Sequence, residues 1–121
     1  MCAALPDTEA TRGLLNAARI QRFKPSALFV NVGRGSLVEE AALIVALRED
    51  RLRGAVLDVT RREPLPPDDP LWSSPRTILT QHTSGASDRE ISDTIDFFGQ
   101  NLARYREGKP LMNVVDWSRG Y

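Results

Sequence analysis

Apolar positions along this chain fall into two alternating patterns. Residues 27–32 and 54–59 are nearly unbroken apolar runs, and 77–81 is a shorter third. The first two, without polar alternation and bounded by turn residues, suit strands buried on both faces of a parallel sheet, and the third is read as a further strand. Residues 2–5 read as the end of one more strand, cut short, and Pro6-Asp7-Thr8 as a turn. The other pattern is helical. Asn16 is a good N-cap for a short helix through Ile20 and Phe23, which Pro25 stops because the residue before proline avoids helical geometry. Residues 39–50 set Leu43, Ile44 and Leu47 on one face. Ser87-Asp-Arg-Glu90 fits a capping box. The helix behind it carries Ile91, Ile95, Phe98, Leu102 and Tyr105 as one stripe, ended by Gly108 and Pro110. The tail, 111–121, is irregular without being low in complexity, and is expected to pack on something.

Residues 61–75 hold five prolines in fifteen positions, which excludes a helix or an inner strand. Pro67 and Pro70 make a P-x-x-P that could serve as a ligand for an aromatic-lined groove. Asp68-Asp69 and Leu71-Trp72 argue more for a folded loop with a buried tryptophan. Strand, helix, strand, long loop, strand, helix is the α/β order, and such crossovers give parallel, right-handed units. Three or four strands leave poorly protected edges. That predicts a piece of a larger doubly wound domain, or a chain that pairs with a partner.

Composition narrows the function classes. With 121 residues the chain is about one domain. Sixteen basic and sixteen acidic side chains cancel, and no block of like charge implies nucleic acid or an anionic membrane as partner. No apolar stretch approaches the ~20 residues of a membrane span. The first residues lack the basic lead-in and apolar length of a signal peptide. The expectation is a soluble, cytoplasmic protein. Cys2 is the only cysteine, so no disulfide framework exists, a reducing compartment is implied, and the residue is expected to be a small buried hydrophobe.

If the runs are parallel strands, the charged groups that follow them emerge at one sheet edge, where open α/β sheets bind ligands. Arg34 follows the first run within Gly33-Arg34-Gly35, Asp58 and Glu63 follow the second, and His82 follows the third. Arginine offers a planar fork for a carboxylate, and glycine lets backbone approach a ligand closely. His82, the only histidine, has a near-neutral proton to give or take. Glu63 could hold its ring in one tautomer. Each has a plainer reading: a solvated arginine at a turn, a surface glutamate in a loop, a half-buried aspartate capping a turn, a satisfied histidine. The glycines are no dinucleotide fingerprint, because G-x-G-x-x-G needs glycine where Val38 stands.

Five segments taken together resemble the D-isomer-specific 2-hydroxyacid dehydrogenases in order and near spacing. They are Leu5-Pro-Asp-Thr-Glu-Ala-Thr-Arg-Gly13, Phe29-Val-Asn-Val-Gly-Arg-Gly-Ser-Leu-Val38, Gly54-Ala-Val-Leu-Asp-Val59, Glu63-Pro-Leu-Pro66 and Thr80-Gln-His-Thr-Ser-Gly85. The likeness spans essentially the whole chain and leans toward the glyoxylate/hydroxypyruvate reductase-like branch, as do Leu111-Met-Asn-Val-Val-Asp116 and Gly120-Tyr121. Gln81 stands where the family usually has proline, and Thr83-Ser84 replaces a commoner apolar-small pair.

The resemblance implies a partial NAD(P)-binding, Rossmann-like domain over 1–121, with a C-terminal helix and tail and without the glycine-rich loop and substrate domain. It implies hydride transfer between NAD or NADP and a 2-keto or D-2-hydroxy acid. Arg34 would bind the substrate carboxylate, His82 would be the general acid or base, and Glu63 its partner. Asp58 would contact the nicotinamide carboxamide. Leu5, Pro6 and Thr11 would line the adenosine side, and Val32, Gly33, Ser84 and Gly85 would pass the nicotinamide. No metal is implied. The expectation is a half-domain inactive alone, needing a homodimer or a complementing chain. The alternative is a non-catalytic, dimerising interaction module descended from such an enzyme.

Overall fold

The structure, a computed structural model, describes residues 1–85 and 87–121. It divides into two units, Met1–Ser84 and Gly85–Tyr121. The first is built on a four-stranded, fully parallel sheet in the order β1 (Cys2–Ala3), β2 (Leu28–Asn31), β3 (Gly54–Leu57), β4 (Thr77–Leu79). The α/β reading therefore holds, and of the strand end expected at residues 2–5, Cys2–Ala3 is a strand, paired with β2.

Helix α1 (Ala17–Ile20) lies between β1 and β2, and α2 (Glu40–Arg48) between β2 and β3. Asn16 caps α1 as predicted, its side-chain oxygen accepting from the Arg19 N–H at 3.1 Å. Leu43, Ile44 and Leu47 are all buried under α2, joined by Ala46. Arg76 closes the other end of α2, donating to the Leu47 carbonyl and lying 2.6 Å from Asp50, where a cation complements the helix dipole. No α-helix crosses from β3 to β4. The proline-rich loop does so, with one 3-10 turn at Pro70–Ser73 that puts Leu71 into the core.

The core gathers on one face of the sheet. Phe29, Leu43, Leu47, Leu57 and Leu71 are at most 2% exposed, each contributing about 1.5–3 kcal/mol relative to solvent exposure. The expectation of burial on both faces fails for β2, while no residue of β3 is exposed. Strand residues alternate, so Phe29, Asn31, Ala55 and Leu57 point to the helices, while Leu28 and Ile78 on the opposite face are 45% and 59% exposed. The same alternation corrects Cys2, which is exposed while Ala3 points inward. Trp72 is exposed, not buried. Leu71 takes the inward position of the 3-10 turn, and the indole N–H donates to the Pro66 carbonyl at 2.7 Å.

The second unit is α3 (Glu90–Arg106) and the tail. The capping box does not form. The helix begins at Glu90 behind Arg89, no side chain caps it, and the Ser87 carbonyl accepts the Glu90 N–H in a turn. Gly108, at φ +65°, ends the helix in the left-handed conformation that glycine permits. The tail folds back onto α3. Asn101 exchanges hydrogen bonds with the Met112 backbone at 2.8 and 3.2 Å, and Arg104 donates to the Pro110 carbonyl at 2.6 Å. Within this unit Ile91, Ile95, Phe98 and Tyr105 remain exposed. Among the described residues, no helix is long and apolar enough to cross a membrane.

Candidate functional site

Because the strands are parallel, the loops after β1, β2, β3 and β4 lie at one edge, and their backbones interlock. A Cβ added at Gly33 would stand 2.7 Å from both the nitrogen and the oxygen of Leu5. One added at Gly35 would stand 2.0 Å from the Thr60 carbonyl carbon. Both glycines are thus required for close passage of one backbone over another. The turn between them is held by Asn31, 1% exposed, whose side-chain oxygen accepts from the Gly33 N–H at 3.1 Å. Its amide nitrogen donates to the Arg34 carbonyl at 3.0 Å. Arg34 itself is exposed, and its guanidinium donates at 2.7 Å to the carbonyl of Gly33.

The loop after β3 supplies two carboxylates with different surroundings. Glu63 bridges two partners: one oxygen accepts from the Thr60 N–H at 2.9 Å, and the other lies 2.8 Å from His82 Nδ1. Burial pushes the Glu63 carboxyl up, but the Thr60 N–H, the imidazole and the Arg34 charge outweigh it and leave it below its ordinary value. Glu63 is therefore ionised near neutral pH and accepts, so the His82 hydrogen in this contact sits on Nδ1. Among the described residues Nε2 has no hydrogen-bond partner.

Asp58 is 5% exposed. One carboxylate oxygen accepts from the Thr80 hydroxyl and, at 3.1 Å, from the Thr83 N–H. The other accepts from the Ser84 N–H at 2.8 Å. The Thr80 hydroxyl first, then the Ser84 hydroxyl and the two amides, hold this carboxyl far below the usual range against the cost of burial. His82 between these anchors adopts φ +60°, a left-handed conformation that costs a non-glycine residue about 1–3 kcal/mol and persists only where its surroundings impose it.

A cleft of about 550 Å³ opens beside the pair, lined by Glu63 and His82 together with Leu65, Trp72 and Leu79. Arg34 does not line it, although it leaves the sheet at the same edge. On the β1–β2 side, Leu5 and Pro6 are exposed and Val32 is half-buried, while the Thr11 hydroxyl donates to the Pro6 carbonyl at 2.7 Å and fixes that strap. Asp7 ties the strap to the glycine loop by accepting from Ser36 Oγ at 2.9 Å and from Arg12 at 2.9 Å. Ser84 reaches the site as a partner of Asp58. Gly85 opens the second unit, exposed, with open space around its Cα. No cluster of metal-ligating side chains occurs among the described residues.

Asn31, Thr60 and Thr80 were not among the sequence candidates. Asn31 left a signal, since a polar residue in an otherwise apolar strand, two before a glycine, calls for buried partners. Thr60 and Thr80 left none that spacing could reveal, because Thr80 meets Asp58 only through the β3–β4 register.

The match to a family of known proteins ends where the first unit does. Residues 1–84 match the family described as D-isomer specific 2-hydroxyacid dehydrogenase, NAD binding domain. Glyoxylate/hydroxypyruvate reductase A from Salmonella newport is 36% identical over 117 residues, 97% of this chain and 37% of that protein. Two solved structures superpose on 99% of the chain. A D-isomer specific 2-hydroxyacid dehydrogenase from Xanthobacter autotrophicus Py2, in complex with NADPH and MES, does so with TM-score 0.89 and 40% identity over 49% of its length. The NADPH-dependent glyoxylate/hydroxypyruvate reductase from Sinorhizobium meliloti, in complex with NADP and sulfate, does so with TM-score 0.88 and 34% identity over 39% of its length. The chain thus spans between about a third and a half of these relatives.

Proposed function

The chain belongs to the D-isomer specific 2-hydroxyacid dehydrogenases, and from that premise we propose that it forms the NAD(P)-binding half of an enzyme reducing 2-keto acids to D-2-hydroxy acids. The observation that carries the reading is the 2.8 Å contact between His82 Nδ1 and Glu63 at the carboxyl edge of a parallel sheet. A dinucleotide would meet apolar surface at this edge on Leu5 and Pro6, in a strap that the Thr11 hydroxyl ties to the Pro6 carbonyl, and on half-buried Val32 just past β2. Those residues would hold it, with Gly33 permitting the close passage of the loops and Ser84 beside the nicotinamide. When bound, the reduced cofactor supplies a hydride.

The residues of the chain supply the rest. Arg34 binds the substrate carboxylate through its planar fork and polarises the keto carbonyl, drawing electron density away from the carbon that takes the hydride. Protonated His82 gives its Nε2 proton to the keto oxygen as the carbon gains the hydride. Glu63 keeps the remaining proton on Nδ1, so the neutral ring left behind is in the tautomer that can be reprotonated at Nε2. In the oxidative direction the same ring takes the hydroxyl proton. Glyoxylate and hydroxypyruvate are the substrate class to test first, given the relatives.

These 121 residues contain no G-x-G-x-x-G loop to cradle a pyrophosphate. Calorimetric titration of the chain alone with NADPH should therefore give a Kd no tighter than roughly millimolar, about 4 kcal/mol. No keto-acid reduction should accompany it. Micromolar binding by the isolated chain would show that cofactor affinity does not depend on such a loop.

A second reading, a non-catalytic module that associates with itself, draws on the uncovered sheet face, where Leu28 and Ile78 are 45% and 59% exposed. Sedimentation at micromolar concentration tests it. A dimer dispersed by Ile78→Glu supports it, and a monomer removes it.

A further inference from the structure

We propose that Thr80 and Asp58 form a clasp that positions His82, holding the 80–84 turn so that the ring meets Glu63. The proposal rests on the reading of His82 as the proton donor, and it concerns a step before chemistry: how the chain keeps that donor in place.

Asp58 touches the turn on both sides of His82. The Thr80 hydroxyl donates to it from two residues before the histidine, and the Thr83 and Ser84 N–H groups donate to it from just after. Both carboxylate oxygens are therefore occupied within the chain, on a side chain that is 5% exposed. The residue between the anchors is the one forced to φ +60°. Left-handed backbone at a histidine needs an imposed constraint, and a buried carboxylate gathering three donors is one. Without it the turn is free to relax to negative φ, which redirects the Cα–Cβ bond and carries the ring away from Glu63.

The carboxylate that receives the ring is fixed from the same segment. The Thr60 N–H holds one Glu63 oxygen at 2.9 Å, and the Thr60 hydroxyl donates to the Arg62 carbonyl at 2.8 Å. Residues 58–63 thus grip the histidine turn at its backbone through Asp58 and at its ring through Glu63. Thr80 is the part of this arrangement that can be changed with least disturbance. Valine keeps its shape and removes the hydroxyl, and serine restores the hydroxyl without the methyl.

His82 is the only histidine in the chain, so the imidazole nitrogen spectrum reports this ring alone. In the wild-type chain the neutral ring should show the Nδ1–H tautomer, with an Nδ1 proton protected from solvent exchange. Glu63→Gln marks how the spectrum looks when the carboxylate partner is lost. Thr80→Val should lose the protected proton and revert toward the Nε2–H tautomer that free histidine prefers. Asp58→Asn should move the same way, and Thr80→Ser should keep the wild-type signature. The amide spectrum of β2 and β3 identifies any variant that fails to fold. Should Thr80→Val fail, the contrast between Asp58→Asn and Thr80→Ser decides. Wild-type tautomer and protection in both Thr80→Val and Asp58→Asn would overturn the clasp, as would their loss in Thr80→Ser to the same extent as in Thr80→Val. The spectrum does not depend on turnover. A completed enzyme indifferent to His82→Ala would remove the proton-donor reading while leaving this result standing.

Discussion

His82 and Arg34 leave the same sheet edge but are held in opposite ways. The histidine ring is fixed through Glu63, and its backbone through Asp58, Thr80, Thr83 and Ser84. Around Arg34 the backbone is equally fixed, by Asn31 and by the glycines that pass under Leu5 and Thr60, yet among the described residues the guanidinium reaches only the neighbouring Gly33 carbonyl. The difference suits the chemistry proposed for each. A proton donor must keep one tautomer and one direction before substrate arrives, because a misplaced ring transfers nothing. A carboxylate fork gains its partner from the substrate, so a preformed ion pair would compete with binding.

The comparison breaks most readily at the glycine beneath both loops. Gly35→Ala puts a carbon where the Thr60 carbonyl already stands, between two backbones that cannot yield cheaply. The expected loss is about 3–5 kcal/mol of stability, read as a lower denaturation midpoint with unchanged slope. A midpoint within error of the wild type would mean that the loops are not interlocked.

Arg34→Lys sharpens the contrast. In an enzyme completed with the portion that precedes this region in a relative, the KM for a 2-keto acid should rise about 10–100-fold, the loss of one bidentate charge-assisted pair. The melting temperature should not move, because the guanidinium's hydrogen bond is to the neighbouring Gly33 carbonyl and lysine keeps the positive charge that Glu63 feels. A drop in stability as large as the kinetic loss would place Arg34 in the scaffold instead.

Asn31→Ala tests the backbone beneath that arginine. It leaves the Gly33 N–H and the Arg34 carbonyl without their partners and should cost about 1–3 kcal/mol. The Arg34 turn should loosen while the His82 imidazole spectrum stays as it was. A changed imidazole spectrum would show the two loops to be one unit.

The smallest effect is one of pH. The folded-state carboxyls of Asp58 and Glu63 are both held low, so the unfolded chain binds more protons than the folded one in acid. Their contribution is complete above the ordinary carboxyl values, 3.8 and 4.5, and is lost as pH falls below them toward the folded-state values. Thermal midpoints measured from pH 6 down to pH 2.5 should decline, and Asp58→Asn should flatten that decline. A slope identical in the variant would mean that the anchors around Asp58 add no stability.

Much of this was legible in the sequence because it depends on local spacing. Apolar runs without alternation gave the parallel strands, the Leu43, Ile44 and Leu47 stripe gave the buried face of α2, and chemistry-bearing residues just after the runs gave the edge. What the spacing could not supply was anything set by neighbours distant in sequence. An apolar strand looks the same whether one face is covered or two, and only the structure leaves Leu28 and Ile78 open. Trp72 and Leu71 are adjacent, and which turns inward depends on the 3-10 geometry of Pro70–Ser73. Ser87 and Glu90 have capping-box spacing, but the chain enters its helix at Glu90. Thr80 and Asp58 are 22 residues apart and meet only once β3 and β4 are in register.

The proposed role of His82 as proton donor of a keto-acid reductase is tested most directly by His82→Ala. The chain, joined to the portion preceding this region in the Xanthobacter relative, is assayed by NADPH oxidation with glyoxylate or hydroxypyruvate. The joined protein should turn over, and His82→Ala should lower kcat about 10²–10⁴-fold at unchanged stability, the usual contribution of general acid catalysis. Keto-acid-dependent turnover that survives His82→Ala undiminished would contradict the account.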